Sequence, residues 1–158
     1  MITATKQLIE SKWTNVQIQK ESARLLASQW MAAYGVICKQ GEAAIKEFET
    51  VTRNEKVAYF KALKVTTPME LVKALAEHEA NVFGSKMEIW GDDKQAHLSY
   101  QSCGMWNAIK EHGHMTKEQE AMMSKQMETC TSEFAKEFGF KGETKIEGEN
   151  SAVLTFTK

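Results

Sequence analysis

The stretch KMEIWGDDKQAHLSYQ, from Lys86 to Gln101, determines the predicted fold class. Polar and apolar residues alternate in its first and last parts, as in strands that bury one face. The polar segment 91–94 between them, GDDK, is typical of a hairpin turn. The sequence therefore predicts two antiparallel strands. The apolar side chains predicted to share one face are Met87, Ile89, Ala96, Leu98 and Tyr100.

The carboxyl-terminal segment repeats this pattern. Residues 144–147, a turn at 148–150 and residues 151–157 form a second predicted hairpin, with Ala152, Leu154 and Phe156 on one face. Two helices are predicted between the hairpins, one over 104–111 and one from Thr116 to Gly139. Four strands in two hairpins predict one antiparallel sheet within a ββααββ unit.

The segment before the first hairpin predicts about three helices. The first begins at about residue 6 and ends near Lys39, and Gly41 separates it from a second helix over about 42–63. The third begins at Thr67, where Pro68 and Glu70 complete a capping box. We therefore predict one α+β domain over 1–158, with a helical front half at 1–83 and the ββααββ back half at 84–158.

Composition narrows the class of protein. The chain has 158 residues, 20 basic and 21 acidic side chains and a net charge of -1. No basic stripe is present, which disfavours nucleic acid as a partner. No apolar run reaches the roughly 20 residues of a membrane span, and the first residues do not resemble a signal peptide. We expect a cytoplasmic protein whose three cysteines are free thiols.

Cys103 is the most interesting candidate for chemistry, because it lies where a predicted strand passes into a helix. A helix N-terminus stabilises the thiolate form that a nucleophile requires. His78, on the predicted inward face of the third helix, is the candidate base that would accept its proton. The alternative is structural, since cysteine and a lone histidine on an apolar face are commonly core residues.

Two further kinds of site remain open. In the first, a small-molecule pocket would be lined by Cys130, Trp106, Met127 and Tyr34. In the second, a transition metal such as zinc would be held by ligands from Cys103, Cys130, Glu128, His112 and His114. The spacing matches neither CxxC nor HExxH, so no cofactor is predicted, and the two histidines are more simply explained as part of a solvated loop. GxSxG, GxGxxG and Walker motifs are absent from the sequence.

The order of these elements resembles a known family. The matching positions are Gly35, the segment FKAL at 60–63, Ser102-Cys103, the segment ETC at 128–130, and Gly148 before the last strand. On these positions the chain resembles the L-2-aminothiazoline-4-carboxylate hydrolase-like family. Its architecture is also similar to the small-ligand sensor domains of the 4-vinyl-reductase type. The family's further cysteine on the last strand is missing here, where residues 151–156 read SAVLTF.

The resemblance implies either of two functions. One is ring-opening hydrolysis of a cyclic thiazoline with a thiol as nucleophile, and the other is binding of a small, mostly apolar ligand by the sheet and helices. Together with the candidate residues above, the first predicts hydrolysis of a C–N bond in a small heterocycle, with Cys103 as nucleophile, His78 as base and Cys130 in the pocket. The second predicts a non-enzymatic domain that binds a small molecule or a metal. A small molecule is the expected partner in both cases, and a homodimer is possible.

Overall fold

The computed structural model describes residues 10–111, 117–148 and 150–158. The helices are α1 (Asn15–Ile37, followed by a 3-10 turn at Cys38–Gln40), α2 (Glu42–Ala62), α3 (Pro68–Phe83), α4 (Gly104–Glu111) and α5 (Lys117–Lys136). The strands are β1 (Lys86–Gly91), β2 (Gln95–Ser102), β3 (Lys141–Gly148) and β4 (Ser151–Thr157). The predicted α+β class and the four-stranded antiparallel sheet are confirmed.

The sheet has the order β1-β2-β4-β3, so the two hairpins meet through β2 and β4. The register places Leu98 opposite Ile89 on one side and Leu154 on the other. Leu154 in turn lies opposite Thr144 of β3. One face of the sheet is therefore apolar at its centre, and α3 and α5 pack against that face.

Capping residues fix the ends of two front helices. At α3, the Thr67 hydroxyl accepts a hydrogen bond from the Glu70 amide, and the Glu70 carboxylate accepts one from the Thr67 amide, as the sequence predicts. At α1, Thr14 forms the same reciprocal pair with Gln17. Residues 10–14 are not helical. The predicted start of the first helix, near residue 6, is therefore wrong over these residues, because Thr14 is the cap.

The main core lies between α2, α3, α5 and the sheet. Its largest fully buried side chains are Phe60, Phe156, Leu71, Leu98 and Val72. A second, smaller cluster joins α1 to α4 and is built mainly from short side chains, namely Ala23, Ala27, Ala108 and Ile109. Short side chains on both helices let their backbones approach closely.

Helix α3 is rotated relative to its predicted orientation. The apolar spacing of its sequence predicts that Glu79 faces away from the core. In the structure both Glu79 and Val72 are buried. The same spacing predicts that Val82 faces inward, but Val82 is 37% exposed. The contact between α3 and strands β1 and β2 sets this rotation. The apolar face that the sequence of α3 predicts is wide enough to allow either orientation of the helix.

The apolar spacing of helix α5 predicts an inward stripe, formed by Met123, Met127, Cys130, Phe134 and Phe138. Cys130, predicted to lie inside that stripe, is exposed. Helix α5 approaches β3 closely at Gly142, where an added Cβ would lie 2.6 Å from the Ala135 Cβ and 2.6 Å from the Thr131 carbonyl oxygen. This contact centres the buried face on Thr131, Phe134 and Ala135 and leaves Cys130 at its edge.

Among the helices within the described ranges, none combines the length and apolar character that a membrane span requires.

Candidate functional site

The face of the sheet opposite the helices carries an open cleft of about 410 Å³. The alternate residues of all four strands lie on this face, and each is exposed or half-buried except Ser99. An antiparallel sheet commonly leaves one face to solvent, so the openness alone is ordinary. The composition of the cleft is less ordinary than its openness. Its lining on this face consists of Glu88, Trp90, Ser99, Glu143, Lys145, Glu147, Val153 and Thr155. Thr144 also borders the cleft, although its hydroxyl donates a hydrogen bond to Thr131 of α5 on the other face.

Strand register builds one row of side chains across the cleft. Trp90 lies opposite His97, His97 opposite Thr155, and Thr155 opposite Glu143. The rings of Trp90 and His97 are stacked, with centroids 5.0 Å apart and planes inclined by 16°. His97 Nδ1 also lies 3.0 Å from the Thr155 hydroxyl oxygen. The row thus presents a fixed aromatic stack at one end and a carboxylate at the other.

A second row runs parallel to the first and includes the floor of the cleft. It places Glu88 opposite Ser99 and Val153 opposite Lys145. Ser99 is only 6% exposed, and its hydroxyl oxygen accepts a hydrogen bond of 3.2 Å from the Gln101 side-chain amide. The same amide approaches Glu88 at 3.5 Å. A buried hydroxyl therefore lies at the centre of an otherwise open surface.

The cleft is acidic. Among the described residues that line the cleft, the charged side chains are the carboxylates of Glu88, Glu143 and Glu147 and the ammonium of Lys145. The Lys145 ammonium is 2.9 Å from a Glu147 carboxylate oxygen, and this contact raises the lysine pKa. Since that lysine is already paired with one carboxylate, the other two carboxylates set the sign of the field over the cleft.

Cys103 caps the N-terminus of α4. Its carbonyl oxygen accepts the first hydrogen bond of α4, from the Asn107 amide at 3.0 Å. Its Sγ accepts a hydrogen bond from the Trp106 amide at 3.4 Å, the N3 position of the helix. Its own amide donates to the Asn150 side-chain oxygen at 3.1 Å, which ties α4 to the turn before β4. The predicted position at a strand-to-helix junction is correct.

The surroundings of Cys103 do not activate its thiol. Burial raises the pKa of the thiol above its ordinary value of 9.0, and the nearby Glu79 carboxylate raises it further, against the opposing effect of the Trp106 amide. Burial likewise raises the pKa of Tyr100 well above its ordinary value, with smaller contributions from Glu79 and Cys103. Glu79 is 8% exposed and lies 3.9 Å from the Lys56 ammonium. At neutral pH Cys103 is therefore a protonated thiol near a buried acid.

His78 lies in a separate, aromatic environment. Its ring makes edge contacts with Tyr59, Phe60 and Phe83, at centroid distances of 5.3, 5.8 and 6.1 Å. Its Nδ1 atom is buried and has no hydrogen-bond partner within the part of the chain that the structure describes. The contacts of His78 are thus aromatic, whereas the hydrogen bonds of Cys103 go to the end of α4 and the turn at Asn150. No hydrogen bond joins the two side chains among the described residues.

The remaining predicted pocket residues are distributed over different parts of the molecule. Met127 packs against the main core, and Trp106 packs against the smaller α1–α4 cluster. Tyr34 is buried, stacks on Trp30 at 4.8 Å and accepts a hydrogen bond from the Gln126 side chain. Burial raises the pKa of Tyr34. Cys130 is exposed. These residues line neither the cleft on the sheet nor the other cleft described, of about 250 Å³, between α2 and α3.

The metal alternative has no support among the described residues, where no group of three or more His, Cys, Asp or Glu side chains could hold an ion. Glu128 and Cys130 are exposed on α5. The predicted ligands His112 and His114 lie outside the described residues.

Sequence reasoning missed two features, Glu79 and the cleft. The burial of Glu79 could not be predicted, because a glutamate on a helix is ordinarily solvated. For the cleft a partial signal existed: His97, Ser99, Glu88 and Trp90 occupy the second face of the predicted hairpin. The contributions of β3 and β4 depend on long-range register.

Comparison with known proteins adds no assignment. No protein-family model and no curated protein matches the chain.

Proposed function

We propose that this protein binds a small, polar, ring-containing ligand in the cleft on the open face of its sheet, and that the ββααββ segment at 84–158 forms this site. The observation that carries the proposal is the Trp90–His97 stack standing beside the buried Ser99 hydroxyl in a cleft of about 410 Å³. Pockets for small molecules commonly measure ~300–1,000 Å³ and combine an apolar surface with a few polar groups.

The residues of the cleft also favour one chemical class. An indole ring attracts flat rings and cations through its π face. Glu88 and Glu143 are carboxylates, which accept hydrogen bonds and attract positive charge. A planar, positively charged group such as an amidinium satisfies both features at once. A carboxylate-bearing ligand would meet an unfavourable field in the same place.

This proposal corresponds to the ligand-binding alternative implied by the resemblance, with a polar ligand in place of an apolar one. Hydrolysis through Cys103 stays a prediction. A thiol nucleophile is activated by a lowered pKa or by an adjacent base. The Cys103 thiol instead has a raised pKa, and its hydrogen bonds are those of a helix cap.

Three probes of nearly equal shape test the proposal: benzamidinium, benzamide and benzoate, titrated by calorimetry at low ionic strength. The expected order of affinity is benzamidinium, then benzamide, then benzoate, because exposed charges act most strongly at low salt. Trp90→Ala should weaken benzamidinium binding about fivefold or more, which corresponds to loss of roughly 1 kcal/mol of ring and cation contact.

Trp13→Ala is the matched control, since Trp13 is also exposed, at 58%, but lies before α1 and outside the cleft. It should leave all three affinities unchanged. Equal binding of the three probes, or equal effects of the two substitutions, would contradict the proposed site.

A further inference from the structure

Helix α1 is unusually poor in charge for a helix with an exposed face. Of its 23 residues only Lys20, Glu21 and Arg24 are charged, and the segment LLASQWMAAYGVI from Leu25 to Ile37 carries no charge. Helix α2, of similar length, carries eight charged side chains. Two of the three charged residues of α1, Glu21 and Arg24, form a salt bridge with each other. A helix that is hydrophobic on more than one side is normally buried on each of those sides.

Only one side of α1 is buried within the described chain. Ala23, Ala27 and Tyr34 face the interior. On another side Ile18, Leu25, Leu26 and Val36 are 43%, 50%, 42% and 58% exposed. Because helical residues three and four apart share a face, a continuous uncharged surface results. We call it the α1 stripe; its members are Ser22, Leu25, Leu26, Gln29, Ala32, Ala33 and Val36.

The α1 stripe has a symmetric spacing about Gln29. Leu26 and Ala32 lie three residues either side of Gln29, Leu25 and Ala33 lie four residues either side, and Ser22 and Val36 lie seven residues either side. Such spacing is self-complementary when two copies pack antiparallel around a two-fold axis at the centre. Large and small residues also match, because each leucine of one copy meets an alanine of the other. In a parallel pair leucine would meet leucine and alanine would meet alanine, which packs less evenly.

We propose that the α1 stripe is the contact surface of a homodimer in which two α1 helices pack antiparallel with Gln29 at the two-fold axis. The two Gln29 side chains meet there and can hydrogen-bond to each other, which suits an amide at the centre of an apolar seam. The spacing of three and four residues keeps the stripe facing the other helix along its length.

The expected dimer is weak and depends on concentration. A 23-residue helix is about 34 Å long and roughly 10 Å wide, so two such helices cover on the order of 700 Å² in projection. Standard stable interfaces bury ~1,600 Å² in total, and smaller ones belong to transient complexes. The α1 stripe is uncharged and self-complementary, and its area suits a weak contact with a second copy of the chain.

Sedimentation across a range of protein concentrations tests the proposal. The mass should rise from 17.9 kDa towards twice that value as concentration increases. Leu25→Glu should remain monomeric at every concentration, because two charges would enter the apolar seam. Val51→Glu is the matched control: Val51 is 55% exposed on α2 and outside the stripe, so this variant should dimerise like the parent. Circular dichroism checks that both variants fold.

Two results would overturn the proposal: a parent protein that is monomeric at every concentration, or a Leu25→Glu variant that dimerises normally. Loss of the dimer in Val51→Glu would overturn the placement of the dimer contact on the α1 stripe.

Cross-linking tests the orientation in a Cys38→Ser, Cys130→Ser background, which removes the exposed thiols. Gln29→Cys should form a disulfide-linked dimer on oxidation. Ile18→Cys should not, because the antiparallel arrangement separates the two copies of that position by about 33 Å along the helix. A disulfide between copies of position 18 would indicate a parallel pair and refute the proposed arrangement.

Discussion

The indole of Trp90 stacks on the imidazole of His97 across the β1–β2 hairpin, with ring centroids 5.0 Å apart. Trp90 is nevertheless 46% exposed, so one part of the ring is held by its neighbour while the rest stays open to the cleft. A ring fixed in this way loses little conformational freedom when a ligand binds, which favours affinity. The same pair lies in one row with Thr155 and Glu143, and this row links the aromatic and the acidic parts of the cleft.

The capping role of Cys103 predicts a difference between two substitutions. Cys103→Ala removes the acceptor for the Trp106 amide and should lower the free energy of unfolding by about 0.5–2 kcal/mol. Cys103→Ser retains a capping acceptor and should lose less. Urea unfolding measures both, with Cys130→Ala as a control that should change stability by less than about 0.5 kcal/mol because Cys130 is exposed. Equal losses in the Ser and Ala variants would show that the side chain does not cap α4.

The Glu79 carboxylate predicts the direction of a change in thiol reactivity. In the Cys38→Ser, Cys130→Ser background, the rate of alkylation of Cys103 should rise with pH through a midpoint above 9.0, because burial and Glu79 both raise the thiol pKa. Glu79→Gln removes the negative charge and should move this midpoint down. Glu77→Gln, on an exposed position of the same helix, is the control and should not move it. A midpoint well below 9.0 in the parent would instead support a nucleophilic Cys103 and the hydrolase prediction.

Two glycines should respond to alanine with opposite signs. A Cβ at Gly142 would lie 2.6 Å from Ala135 Cβ, so Gly142→Ala should destabilise the fold by about 1–3 kcal/mol through overpacking between α5 and β3. Gly35 lies inside α1, and a Cβ added there would have no neighbouring atom of the described chain within 4 Å, so Gly35→Ala should stabilise by roughly 0.5–1 kcal/mol. Thermal unfolding compares the two. A neutral Gly142→Ala would mean that α5 does not approach β3 at this residue.

The capping box of α3 predicts a pH dependence. Hydrogen bonds from the Thr66 amide and hydroxyl, and then from the Thr67 amide, lower the Glu70 pKa below its ordinary value of 4.5. A lowered folded-state pKa means that the contribution of Glu70 to stability is fully present above pH 4.5 and is lost as pH falls through the lowered value. Glu70→Gln should therefore flatten the loss of stability in that acidic range, whereas Glu77→Gln should not. Identical pH profiles for parent and Glu70→Gln would contradict this linkage.

The parts of the fold that could be predicted from the sequence are those set by local chemistry. Alternation of apolar residues identified the strands around the 91–94 turn, and Thr67, Pro68 and Glu70 identified the start of α3, because caps and turns involve neighbours in the chain. The interior orientation of α3 and α5 could not be predicted in this way. Glu79 is buried and Cys130 exposed because of where each helix meets the sheet.

The site was less predictable than the fold. Cys103 was correctly placed at a strand-to-helix junction, but its raised pKa depends on burial and on Glu79, which a sequence pattern does not contain. The cleft joins residues of β1 and β2 to residues of β3 and β4 that are more than 40 positions away in the chain. Only the register between β2 and β4 brings His97 beside Thr155.

The most direct measurement of the proposed function is a two-dimensional NMR titration with benzamidinium, in which the indole N–H of Trp90 and the backbone amides are followed together. We expect saturable shifts of the Trp90 indole and of the amides of Ser99, Lys145 and Val153, which line the cleft. The indole of Trp106, packed in the α1–α4 cluster, should not move. Shifts concentrated around Cys103 and Asn150, with Trp90 unaffected, would contradict the proposed site.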